Sequence, residues 1–243
     1  MNASIGERPR ISLIVPVYNE EESLPPLLAE VDSALREQGS REVILINDGS
    51  TDGSLGVMER LRRDHPGLNI RIICLDRNHG LTAAMDAGFR AARGELLVTI
   101  DADLQNDPAD IPKLLAYLSR YDVAIGSRTR RRDRFVKRWS SKIANAIRNW
   151  ATAEDIVDVA CSLKTYRAEY VQRLKLYKGL HRFLPTLLKL EGARVIEVPV
   201  NHRPRQYGTA KYHLLNRLVG PLLDLFAVRW MQKRHLSYRM EEK

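Results

Sequence analysis

Long apolar runs are missing from this 243-residue chain, and so are the cysteine and histidine clusters that mark disulfide-stapled or zinc-bound folds. No stretch of about 18 apolar residues occurs, and the N-terminal MNASIGERPR lacks the apolar core of a secretory signal. The expectation is a protein neither secreted by a recognisable signal nor membrane-spanning. Only Cys74 and Cys161 are present, each in an apolar stretch and neither in a CxxC pair, so both are read as buried free thiols of a reducing cytosol. Low-complexity segments and internal repeats are also absent. Neither GxGxxG after a strand nor GxxxxGK[ST] is found, which leaves dinucleotide and P-loop nucleotide binding unsupported.

What is present is an ordinary globular composition, 44% hydrophobic and 28% charged, in a chain long enough for one large α/β domain with an appendage. The excess of 39 Lys+Arg over 30 Asp+Glu gives +9, which favours nucleic acid, phosphorylated small molecules or an anionic membrane face as partners. Charge alone does not choose among them.

Five apolar runs of strand length, ISLIVPV (11–17), EVILIN (42–47), IRIICL (70–75), ELLVTI (95–100) and YDVAIG (121–126), alternate with helical patterns near 20–36, 53–64, 81–93 and 109–120. Continuous apolar runs suit strands buried on both faces, so the pattern predicts a doubly wound, mostly parallel sheet. Asn19 is a candidate N-cap, Pro25 and Pro26 fit only the first helical turn, and Asp107 precedes Pro108 as a start signal. Later come a predicted strand in DVACSLKTYR, a helical HRFLPTLLKLEG, a strand ARVIEVPV, the polar NHRPRQYGTAKY and an amphipathic segment over 214–231.

Ligands of doubly wound sheets bind at the carboxyl ends of the strands, where PVYNEE, NDGSTDGS and DADLQ fall. Asp101 and Asp103, two apart at a strand end, could both turn toward one hard cation, with Gln105 adding an oxygen; alone, the pair reads more readily as a solvated acidic turn followed by an N-cap. NDGSTDGS reads either as an Asx-closed turn or as Asp48 beside glycines that admit a flat ligand.

Taken together, IVPVYNEEESL, INDGSTDGS, RNHGLTAAMDAGFRAARGE, TIDADLQNDP and IGSR resemble, in order and spacing, the family 2 glycosyltransferases of the GT-A fold. DVACSLKTYR and RPRQYGTAKY resemble the polyprenol-phosphate sugar synthase branch, typified by dolichol-phosphate mannose synthase and the undecaprenyl-phosphate glycosyltransferases. The resemblance implies an N-terminal tail over 1–10, a catalytic domain over 11–212 and a C-terminal interfacial or packing helix with a basic tail over 213–243. It implies inverting, metal-dependent transfer of a sugar from a UDP- or GDP-linked donor to a polyprenyl phosphate, undecaprenyl or dolichyl, at the cytoplasmic membrane face. Transfer to a saccharide acceptor is the alternative.

By the same resemblance, Pro16, Tyr18, Glu20 and Asp48 line the nucleoside pocket. Asp101, Asp103 and Gln105 hold Mg²⁺ or Mn²⁺ on the donor diphosphate, and Arg205 and Lys211 reach the donor phosphates from a closing loop. Arg128, with Arg134 and Arg138, faces the acceptor phosphate, and Asp158 is either a base or an orienter of cationic side chains. The chain departs from the commoner pattern at Asn47, at Ala210 and at Val159 and Ala160, none of which removes a proposed ligand.

A polyprenyl phosphate carries about −1.5 to −2 at neutral pH, so it needs cationic cradling more than a strong base. Residues 128–142 hold eight Lys/Arg against Asp133 alone, which fits that need as well as it fits a solvated face. Arg217, Pro221, Asp224 and Arg229 interrupt the C-terminal segment, and its apolar stripe with Trp230 suits either an anionic lipid surface or protein packing. A peripheral enzyme with a membrane partner subunit, or a homo-oligomer, is expected. Nucleic acid is not an expected partner, because no RNP, KH or zinc-finger signature accompanies the positive charge.

Overall fold

Strands β1 (Ile11–Val17), β2 (Arg41–Asn47), β3 (Ile70–Cys74), β4 (Leu96–Thr99) and β5 (Val123–Arg128) form where the five apolar runs predict them. The structure is a computed structural model and describes residues 8–128, 156, 158–204, 219–236 and 241. Strands β6 (Lys164–Arg167) and β7 (Val195–Val200) complete a seven-stranded sheet of order β3-β2-β1-β4-β6-β5-β7. All pairings are parallel except those of β6, which runs antiparallel to both β4 and β5. DVACSLKTYR is therefore a strand only from Lys164 onward, and its earlier residues turn.

Alternation along the strands divides the core into two layers. Leu13, Val15 and Val17 of β1 and Val43 and Leu45 of β2 pack with helices α1 (Leu24–Leu35), α2 (Ser54–Asp64) and α4 (Ile111–Tyr117). Ile14, Ile44 and Ile46 face the other way, onto α3 (Leu81–Ala91), the short α5 (Ala168–Val171) and α6 (Leu184–Leu190). Helix α7 (Val219–Arg234) packs Leu225 and Val228 against Leu180, Phe183 and Leu187. Its opposite face leaves Leu223, Phe226 and Trp230 64%, 71% and 64% exposed. The helix thus meets protein on one side and presents an apolar stripe on the other.

Two local expectations need correction. Asn19 is not the N-cap of α1; it takes a left-handed φ of 54°, and Ser23 stands at the cap without a side-chain cap bond. Pro25 does fall in the first turn as expected, and the Asp107 carboxylate does cap, accepting the Ala109 N–H at 3.0 Å. Cys74 is exposed, because β3 is the edge of the sheet, whereas Cys161 is buried.

The chain winds outward from β1 through β2 to β3 and then crosses back to β4 on the other side of β1. Loops after β1 and β4 diverge at such a reversal and leave a crevice at the carboxyl ends of the strands. The acidic segments of the sequence open there.

Candidate active site

Two loops build the first wall of the crevice, and they are stitched together by their own polar side chains. Asn19 Oδ1 accepts the Thr51 N–H at 2.7 Å, the Glu20 N–H donates to Ser54 Oγ at 2.8 Å, and Glu21 Oε2 accepts the Gly53 N–H at 2.8 Å. This holds Tyr18 and Glu20, after β1, against the NDGSTDGS loop after β2. Pro16 lies within β1, opposite Ile46.

Asp48, 3% exposed, is spent on the fold of the site itself. Its carboxylate accepts the His79 N–H at 2.7 Å, the Gly80 N–H at 2.8 Å and the Asn78 side-chain amide at 3.1 Å. The carboxylate thereby closes the turn that leads into α3. Gly49 has φ 66°, and a Cβ on it would meet the Asn78 nitrogen at 2.5 Å. Its missing side chain admits the chain's own 77–78 backbone, not a flat ligand.

The second wall is the acidic turn. β4 ends at Thr99, so Asp101 and Asp103 lie in a turn and the shared-face argument for a regular strand does not apply. Leu104, buried with φ 59°, forces the reversal; a bulky residue in that region is strained and is held only by its surroundings. Asp103 is 6% exposed and accepts the Gln105 N–H at 3.1 Å, while the Asp101 N–H donates to Ser162 Oγ at 3.2 Å. The 201–203 segment runs alongside: Gln105 O accepts the Arg203 N–H at 2.8 Å, and the Arg203 guanidinium spans Glu30 and Asp107. The start of the NHRPRQYGTAKY stretch therefore emerges beside the acids. Arg205 and Lys211 further along it lie outside the described residues, as do Arg134 and Arg138.

Opposite the acids, Arg128 closes β5 and forms a two-pronged pair with Asp158, Nε to Oδ2 at 2.6 Å and an amino group to Oδ1 at 2.7 Å. Asp158 also accepts the Arg128 N–H at 3.1 Å, and its own N–H donates to Glu197 at 2.8 Å. Fork-on-fork geometry of this kind is the strong form of a charge-assisted bond. Between the two walls sits Lys164, 5% exposed, which sequence reasoning passed over. Burial pushes its pKa down, against the opposing pull of the Asp101 and Asp158 carboxylates. Lys164 heads the four-residue strand KTYR, where the residues beside it give no sign that it is buried. His181 was also missed: its Nδ1 meets the Thr82 hydroxyl at 2.7 Å, and burial holds its pKa down at about 3.

Among the described residues no three His, Cys, Asp or Glu side chains gather as a metal cage. Two carboxylates with an amide oxygen nearby fit instead a hard divalent cation that takes its remaining ligands from phosphate and water.

The pattern of glycosyl transferase family 2 matches residues 12–175. The chain belongs to that family. Dodecaprenyl-phosphate galacturonate synthase of Rhizobium johnstonii is 40% identical over 229 residues, which cover 92% of this chain and 67% of the relative. Undecaprenyl-phosphate 4-deoxy-4-formamido-L-arabinose transferase of Pectobacterium atrosepticum is 37% identical over 223 residues, 91% of this chain and 68% of the relative. The family 2 chain thus spans about two thirds of the length of these curated relatives. Among solved structures, glucosyl-3-phosphoglycerate synthase from Mycobacterium tuberculosis, in complex with Mn²⁺, UDP-glucose and phosphoglyceric acid, aligns with a TM-score of 0.66 at 17% identity over 91% of this chain and 80% of that one. A mannosyltransferase from Pyrobaculum calidifontis, in complex with GDP-mannose and Mn²⁺, gives 0.59 at 22% identity over 80% and 56%. These likenesses, with the sheet order, establish the GT-A fold of this family 2 glycosyltransferase.

Proposed function

We propose that the protein transfers a sugar from a nucleotide diphosphate donor to a polyprenyl phosphate, with inversion at the anomeric carbon. The observation that carries this reading is the pairing of two unlike walls, acids after β4 and a clamped arginine at the end of β5. The loops after β1 and β2 take the nucleoside, and the acidic turn faces the donor diphosphate. Asp101, Asp103 and Gln105 would hold a Mg²⁺ or Mn²⁺, which would supply positive charge to the leaving diphosphate. Arg128 orients the acceptor phosphate, one of whose oxygens attacks the anomeric carbon as the bond to the nucleoside diphosphate breaks. Asp158 serves as the positioner of Arg128, because both of its oxygens already accept guanidinium N–H groups. A phosphate that is largely ionised at neutral pH needs no base to take a proton from it.

The names of the relatives support the acceptor class, and the nucleotide sugars of the structural neighbours support the donor class. Arg205 and Lys211 are proposed donor-phosphate contacts, and Arg134 and Arg138 proposed acceptor contacts. No helix of the described residues is long and apolar enough to cross a membrane. The outer stripe of α7, with Lys233 and Arg234 in its last turn, is proposed to lie on anionic lipid at the cytoplasmic face.

The test is transfer of labelled sugar into the organic phase from a panel of UDP- and GDP-linked donors, headed by galacturonate and 4-deoxy-4-formamido-L-arabinose. Label entering the polyprenyl phosphate supports the reading. No organic-phase label with any donor, together with label entering an added saccharide, replaces it with the saccharide-acceptor alternative.

A further inference from the structure

A buried lysine demands a reason, since an ammonium removed from water is costly unless paired and hydrogen-bonded. Lys164 opens β6, the one antiparallel strand among the described residues, and stands across from Thr99 on β4 and Ile125 on β5. It is therefore wedged between the strand that leads to the acids and the strand that ends in Arg128. Its Nζ donates to the carbonyl of Cys161, inside the 158–162 turn.

That turn touches both walls. At its start, Asp158 clamps Arg128. At its end, Ser162 Oγ accepts the Asp101 N–H at 3.2 Å and the Asn106 side-chain amide at 2.7 Å, and Ser162 O accepts the Thr99 hydroxyl at 2.9 Å. Within it, the Cys161 thiol donates to Asn106 Oδ1 at 3.3 Å, and Leu163 O just beyond accepts the Gly126 N–H at 2.9 Å.

We propose that Lys164 is a positioning residue that pins the 158–162 turn from within the sheet, and so couples the geometry of the acidic turn to that of the Arg128 clamp. Displacing the turn moves Ser162 and Asp158 together, so neither wall shifts alone. The proposal rests on the reading of the acids as the cation and donor side and of Arg128 as the acceptor side.

The experiment uses Lys164→Met in the full chain, with Mn²⁺ binding to the substrate-free protein followed by electron paramagnetic resonance, and with KM for polyprenyl phosphate followed by label transfer. Outer-shell changes of this kind cost about 10- to 100-fold, and weakening of that order is expected in both Mn²⁺ binding and acceptor KM. A loss of thermal stability with both constants unmoved marks a purely structural lysine and overturns the proposal. So does a shift in one constant alone, or tighter Mn²⁺ binding, the result for a lysine that acted only as a repelling charge. Where Lys164→Met does not fold, Ser162→Ala takes its place. Its side chain touches only the acidic wall, yet acceptor KM is expected to rise with the Mn²⁺ constant, and a change in Mn²⁺ binding alone overturns the coupling. If the unmutated chain transfers sugar to no polyprenyl phosphate, the functional reading falls instead. Amide hydrogen exchange then decides the coupling: faster exchange at both Asp101 and Arg128 in the variant supports it, and faster exchange at one or neither refutes it.

Discussion

Replacing Asp158 by asparagine separates the two roles open to that carboxylate. Its side chain is 7% exposed and that of Arg128 13%, so solvent screens their pair little. Asparagine keeps one acceptor oxygen but turns an NH₂ toward the guanidinium, so one of the bonds at 2.6 and 2.7 Å is lost along with the charge attraction. A hydrogen bond to a charged group contributes about 1.5–3 kcal/mol, and at about 1.36 kcal/mol per tenfold that becomes a loss of roughly 10- to 150-fold in kcat/KM for the acceptor. The loss should fall mainly in acceptor KM, because Arg128 is present but poorly aimed. Label transfer measured against acceptor concentration, across about pH 5–9, reads both quantities, and the shape of the pH–rate profile should persist. A general base contributes about 10²- to 10⁴-fold through the transition state. A fall of that size in kcat, with acceptor KM unchanged and the acidic limb of the profile gone, would refute the positioning role.

Three further outcomes test other parts of the structure. Asp103→Ala should abolish transfer and cost about 1 kcal/mol of stability, the worth of one capping-type bond; unchanged turnover at saturating Mg²⁺ would sink the cation assignment. Glu42→Ala should cost about 2–4 kcal/mol, because its fully buried carboxylate accepts from Ser12 at 2.6 Å, Arg71 at 2.8 Å and the Arg93 N–H at 2.9 Å. Glu42 lies at the amino end of β2, away from the crevice, so kcat/KM should hold; a urea-melt change below about 1 kcal/mol contradicts this. His181 stays neutral in the fold down to about 3 against an ordinary 6.5, so between those values the unfolded chain binds the extra proton and stability falls as pH falls. His181→Gln should remove up to about 1.4 kcal/mol per pH unit from that slope, and an identical slope in both proteins refutes the assignment.

The main sheet was legible because its signal is local. Runs such as ISLIVPV and EVILIN declare strands buried on both faces; five of the seven strands were located from such runs, and β7 from ARVIEVPV. The order of the motifs along the chain sufficed to indicate the family, and Asp101 and Asp103 stood out because acids at the end of an apolar strand are conspicuous. Other features were not legible. β6 is four residues long and begins with a lysine, so nothing in its pattern indicates an antiparallel insertion between β4 and β5. Gly49 has the composition of a ligand loop, yet its space is filled by the backbone at 77–78.

What the sequence determined by itself was therefore the periodic and the contiguous: the strands, most helices, the acidic turn and the arginine that ends β5. Only the tertiary structure decided which charges meet. Asp158 reaches Arg128 across 30 residues, Ser162 reaches Asp101 across 61, and Asp48 binds the turn that opens α3 across 32. Periodicity reports which face of an element is buried, through neighbours two to four positions away. A partner brought in by sheet order leaves no such trace, because it is chosen by the winding of the chain and not by the residues beside it.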